Sequence, residues 1–155
     1  MTAELVLKNA MLVLRDRMLH GHVVCRDGAI AELGEGPTDV PGIDLEGDLL
    51  LPGLIELHTD NLEHHVAPRP KVRWPMGAAL LAHDAQIAAA GITTVLDALA
   101  VVDRGDSPVR GTMLADATSA IAQAREAGLL RADHLIHLRC EVSYGAVVRD
   151  SEALV

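Results

Sequence analysis

His58, Thr59 and Asp60 follow the run Leu51-Pro52-Gly53-Leu54-Ile55-Glu56-Leu57, and Glu63, His64 and His65 stand just beyond. If the run is a β-strand, its side chains alternate between faces, so His58 and Asp60 point the same way and can reach one cation at the strand's exit. Imidazole and carboxylate suit zinc or a harder divalent metal such as manganese. A metal held there would lower the pKa of a bound water toward neutrality and polarise a phosphoryl oxygen. The spacing therefore points to a metal-dependent hydrolase. A solvated strand end is the alternative, because a His-x-Asp triplet arises easily by chance.

Further along, His134 to Val142 reads as a strand with Ile136, Leu138 and Cys140 on one face and His137, Arg139 and Glu141 on the other. One side is thus apolar and the other ionisable, and an ion pair to Arg139 is one fate open to Glu141. Cys140, on the apolar face, is expected to be a buried, inert thiol in a helical layer. Arg69, Lys71 and Arg73 alternate in a segment rich in proline. Arginine offers a fork and lysine a point charge to a polyanionic substrate, so Arg69 and Lys71 are candidate substrate-binding residues. The plain alternative is a solvated loop. His64 and His65 fall in the same loop and are candidates for touching substrate or metal, as is Glu63. Trp74, His83, His20 and His22 read as structural. Asp97, near the end of a second strand, either borders the site or caps a turn.

The elements that must position these residues follow from hydrophobic rhythm. Residues 1 to 50 contain short apolar runs, at Leu5 to Leu7, Met11 to Leu14, His22 to Cys25 and Ala29 to Leu33, separated by turn signals such as Asp27-Gly28. They read as a small β-rich part. From Leu51 onward strands alternate with helices: a strand over 51 to 58, an alanine-rich helix over 76 to 90 stopped by Gly91, a strand over 92 to 99, a helix over 112 to 127 stopped by Gly128, and the strand at 134 to 142. Such alternation implies βαβ units and a parallel sheet, hence an α/β fold. Apolar residues facing helices and ionisable ones at the strands' carboxyl ends suit the start of a (β/α)8 barrel. About three strands are present, and a complete barrel takes about 250 residues, so the rest of such a barrel lies outside this chain. The division expected is 1 to 50 and 51 to 155.

Charge narrows the partners. A formal net charge of −9 disfavours nonspecific nucleic-acid binding and anionic membranes, because both reward clustered Lys and Arg. Cys25 and Cys140 make neither a disulfide framework nor a metal knuckle, which suits a reducing compartment. Met1 to Ala10 lacks the pattern of a secretory leader and no apolar stretch is long enough to span a membrane, so a cytoplasmic location is the expectation. A homo-oligomer is left open.

The run Leu51 to Asp60 and the segment Ala89-Ala90-Gly91-Ile92-Thr93-Thr94-Val95-Leu96-Asp97 together resemble the amidohydrolase superfamily. Within it, His58 to His65, Pro68-Arg69-Pro70-Lys71-Val72, His83-Asp84-Ala85-Gln86 and Leu138-Arg139-Cys140-Glu141-Val142 resemble the family of ribose 1-methylphosphonate 5-triphosphate diphosphatases of the carbon-phosphorus lyase pathway. The resemblance implies a small β-sandwich part ahead of a metal-bearing barrel. It implies metal-ligand roles for His58, Asp60 and Glu141, and hydrolysis of a sugar triphosphate with release of pyrophosphate. The histidines of later strands and the catalytic aspartate of the eighth strand have no counterpart in this chain. Cleavage of an amide, imide or amine substrate, and a noncatalytic fragment, are the competing readings.

Overall fold

The computed structural model describes residues 4–102 and 110–153. The chain divides into two compact units, Met1–Pro52 and Gly53–Val155.

In the first unit, β1 (Glu4–Val13) pairs antiparallel with β2 (Met18–Arg26), and β2 with β3 (Ala29–Glu35). The turn between β2 and β3 is Asp27-Gly28, with φ of 52° and 79°, the positive pair that a tight hairpin needs to follow the strands' twist. Two short strands, β4 (Ile43–Asp44) and β5 (Leu49–Leu50), run parallel to β1. The runs at Leu5 to Leu7 and Met11 to Leu14 thus belong to one strand. What separates them is a register irregularity between Leu7 and Ala10, with Asn9 at φ 54° and its amide bonded to Asp44 at 2.8 Å. The unit is a single five-stranded sheet, with Ala10, Leu12 and Val23 at its core.

The second unit holds a three-stranded parallel sheet in the order β6 (Leu54–Thr59), β7 (Ile92–Val101), β8 (Asp133–Cys140). Helices α1 (Asn61–Val66) and α2 (Met76–Ala89) lie between β6 and β7, α3 (Arg110–Glu126) between β7 and β8, and α4 (Val147–Glu152) after β8. Gly128 closes α3 at φ 64°, where a side chain would be strained. Its N–H donates to Arg125 O at 3.0 Å and that of Leu129 to Ala124 O at 2.9 Å, satisfying carbonyls the helix leaves open.

One face of the sheet carries the core. Leu99 packs with Leu62 and Val66 of α1, Ala79 and Leu80 of α2, and Met113, Ala117, Ile121 and Ala124 of α3. Val95, Asp97, Leu99 and Val101 alternate along this face and are all buried. On the other face nothing among the described residues covers β6: Ile55 is 61% and Leu57 67% exposed.

Several expectations need correction. Strict alternation would put Glu56 with His58 and Asp60, but Ile55 pairs with Thr94, Glu56 with Val95 and Thr59 with Asp97, so three steps of β6 match two of β7. The irregularity turns Glu56 toward the side of Val95. His64 and His65 are in α1, not a loop; that helix is six residues long, too short to show a periodicity. Cys140 is exposed, because β8 ends there and the nearest cover is the polar Ser151 of α4, whose Oγ is 3.2 Å from its Sγ. Trp74 is not a packing residue but 55% exposed.

Candidate active site and a buried histidine network

Where β6 and β8 end, flanking β7, their side chains meet on the uncovered face. His58 Nε2 lies 3.9 Å from Asp60 Oδ2. Arg139 Nη1 donates to Asp60 Oδ1, and Arg139 Nε donates to Glu141 Oε1 at 3.2 Å. His137 stands edge-on to His58, ring centres 4.9 Å apart, and its Nδ1 bonds the Leu57 carbonyl at 3.2 Å. A carbonyl only accepts, so Nδ1 carries the hydrogen and neutral His137 keeps its lone pair on Nε2. Sequence reasoning placed His137 on the ionisable face without giving it a role.

His58 is thus beside Asp60, and Arg139 links Asp60 to Glu141. A guanidinium is the cation they share here. The residue types, one imidazole and two carboxylates, are those a divalent metal takes, but among the described residues their donor atoms do not form a group close enough to hold one ion.

The proposed basic residues divide. Arg73 is committed to α3, donating to Asp116 Oδ2 at 2.7 Å and Thr112 Oγ1 at 3.1 Å. Arg69 and Lys71 are exposed in a tight turn closed by Val72 N–H to Arg69 O at 3.1 Å, with Lys71 at φ 65°, and neither forms an ion pair with a described residue. His64 is exposed, while His65 Nε2 bonds Gln86 Oε1 at 2.8 Å.

A second constellation lies on the covered face. Asp97 of β7 accepts from His83 Nε2 of α2 at 2.8 Å and from His134 Nδ1 of β8 at 2.7 Å, and all three side chains are 0% exposed. His134 Nε2 is 3.4 Å from Asp84 Oδ1. Asp84 in turn accepts from Arg131 Nη1 at 2.8 Å and from the backbone N–H groups of Arg131 and Ala132 at 2.8 and 3.1 Å. Burial opposes the charged form of both carboxyls. For Asp97 the bonds from His134 and His83 outweigh it, and for Asp84 those from Arg131, Ala132 and His134 do, so both are held below the ordinary carboxylate range. Burial likewise opposes charge on His134, yet Asp97 and Asp84 on either side raise its pKa. One donor atom from each of His83, Asp97 and His134 lies within 4.8 Å of the others, so this group could hold a metal ion.

Reading His83 as merely structural and leaving Asp97 undecided missed this network. The signal was present: Asp97 shares parity with Val95, Leu99 and Val101, and His134 with Ile136 and Leu138, so both are ionisable groups on greasy faces.

Among known proteins, no family model matches the chain. Alpha-D-ribose 1-methylphosphonate 5-triphosphate diphosphatase of Escherichia coli K12 is 42% identical over 152 residues, covering 97% of this chain and 40% of that protein. An N-acetyl-D-glucosamine-6-phosphate deacetylase from Mycobacterium smegmatis superposes with a TM-score of 0.51 at 19% identity, over 88% of this chain and 32% of that one. A D-hydantoinase does so with 0.55 at 20% identity, over 98% and 30%. At these identities the likeness shows the fold alone. No described helix is long and apolar enough to cross a membrane. The chain is thus a relative of the E. coli diphosphatase, spanning about two fifths of that relative's length, with the α/β fold it shares with the deacetylase and the hydantoinase.

Proposed function

We propose that the chain forms the first part of a metal-dependent hydrolase that cleaves ribose 1-methylphosphonate 5-triphosphate to ribose 1-methylphosphonate 5-phosphate and pyrophosphate. The observation that carries this reading is the meeting of His58, Asp60, Arg139 and Glu141 at the carboxyl ends of β6 and β8, the end at which barrel enzymes build their sites, in a chain 42% identical to that diphosphatase.

His58, Asp60 and Glu141 would hold the divalent metal, zinc or manganese, which when bound acidifies water and polarises a phosphoryl oxygen. Arg139 orients both carboxylates and would give them up to a metal. Hydrogen-bonded to the Leu57 carbonyl, His137 holds its ring against His58 and so limits the rotation of that ligand. Arg69 and Lys71 meet the polyphosphate or phosphonate, with His64 and His65 beside them on α1 as further contacts. The remaining ligands and the proton-transfer aspartate come from strands outside this chain.

To test this, the chain is joined to the remaining three fifths or so of the E. coli relative, loaded with Zn2+ or Mn2+, and given the sugar triphosphate. Pyrophosphate release is expected, falling at least about a hundredfold in Asp60→Asn, since a lost metal ligand removes the site's main source of charge stabilisation. A folded, metal-loaded protein that releases no pyrophosphate but opens a dihydroorotate-like imide would overturn the assignment.

A further inference from the structure

We propose that His83, Asp97 and His134 form a second metal site, for a zinc-class divalent ion, within the helical layer. It lies on the face of the sheet opposite His58 and Asp60: Asp97 pairs with Ile136 on the covered face, whereas His137 and Arg139 alternate to the other.

The donor set is two imidazoles and one carboxylate, the mixture zinc and its neighbours favour. The three residues come from α2, β7 and β8 and are fully buried. Donor atoms of a tetrahedral zinc site lie roughly 3.3 Å apart. The hydrogen bonds of 2.8 and 2.7 Å between Asp97 and the two rings would open by about half an ångström, and the remaining donor separations, all within 4.8 Å, would close toward the same spacing.

Two further features point the same way. Among the described residues His83 Nδ1 has no hydrogen-bond partner, and His134 Nε2 has only the long, 3.4 Å approach of Asp84 Oδ1, so neither ring is locked by a strong bond on its far nitrogen. A histidine that binds metal through one nitrogen characteristically presents the other to a carboxylate, which fixes its tautomer. With His134 Nδ1 on the ion, Nε2 carries the hydrogen 3.4 Å from Asp84 Oδ1, and Asp84 is itself fixed by Arg131 and two backbone N–H groups. A backing carboxylate is thus already in place. Such an ion would tie α2 to β7 and β8 and act as a folding ligand rather than a reactant.

The test uses the whole chain, stripped with chelator and then given Zn2+ or Co2+ alone. The double variant His58→Gln/Asp60→Asn is expected to retain one tightly held ion per chain, and His83→Gln/His134→Gln to bind that ion at least tenfold more weakly. Because loss of a buried polar network can itself unfold the chain, nitrogen NMR of the unsubstituted protein decides independently. Zn2+ should shift His83 Nε2 and His134 Nδ1 while leaving His20 and His22 unmoved. Unshifted His83 and His134 at saturating Zn2+, or undiminished binding in a folded His83→Gln/His134→Gln variant, overturns the proposal.

Discussion

Charge placement at single residues decides how the uncovered mouth can work. Arg139 bridges Asp60 and Glu141, so the carboxylates proposed as metal ligands already hold a cation, and of the two fates weighed for Glu141 the ion pair is the one present. This was half legible in sequence. Parity along β8 grouped His137 with Arg139, because that strand is regular across its pairing with β7, while Glu141 lies one residue past the strand and is held by its bond from Arg139. The grouping of Glu56 with His58 failed because one irregular step in β6 reverses every side chain behind it, and no glycine or proline between Glu56 and Thr59 announces it. Lys71 offers a clean test of substrate binding. At φ 65° it sits where glycine is favoured, so Lys71→Gly should leave the melting temperature unchanged or slightly raised while removing the charge. A Michaelis constant several-fold higher for the polyphosphate substrate is expected in the completed barrel, and an unchanged constant would reject a role for Lys71.

Between elements, the network of His83, Asp84, Asp97 and His134 gives stability a predictable dependence on pH. Asp84 and Asp97 have lowered folded pKa values, so their contribution is complete above the ordinary carboxyl value of 3.8 and is lost as pH falls through the lowered ones. His134 has a raised value, so its contribution is complete below 6.5 and is lost as pH rises through the folded value. In chelator, urea unfolding should therefore show a plateau between those ordinary values and a decline on each side, and Asp97→Asn should flatten both declines. A stability that keeps climbing above the histidine range would contradict the assigned charges. None of the network's contacts is local in sequence: His83 meets Asp97 because α2 packs on β7, and His134 joins them because β8 pairs with β7. Strand and helix identities were readable from periodicity and glycine stops. The pairing that turns two isolated polar residues on greasy faces into a network was not.

As a whole, the second unit presents an unfinished surface. Parallel sheets are normally covered on both faces, whereas β6 leaves Ile55 and Leu57 exposed and both outer strands lack a described neighbour beyond β7. In the relative, of which this chain matches two fifths, there is further length to cover such a face. The chain by itself should therefore self-associate with rising concentration, and Ile55→Lys/Leu57→Lys should shift it toward monomer in sedimentation. A monomer at all concentrations would show the face to be satisfied in another way. The barrel's beginning was legible because alternating strands and helices carry it. The first unit's second layer was expected from family resemblance, and the described residues form one sheet of it. The central claim, that the mouth of β6 and β8 begins a diphosphatase site, is tested most directly by pyrophosphate release from the completed barrel with and without Asp60→Asn. The account predicts metal-dependent release that the substitution all but abolishes; release undiminished by Asp60→Asn in a folded protein would contradict it.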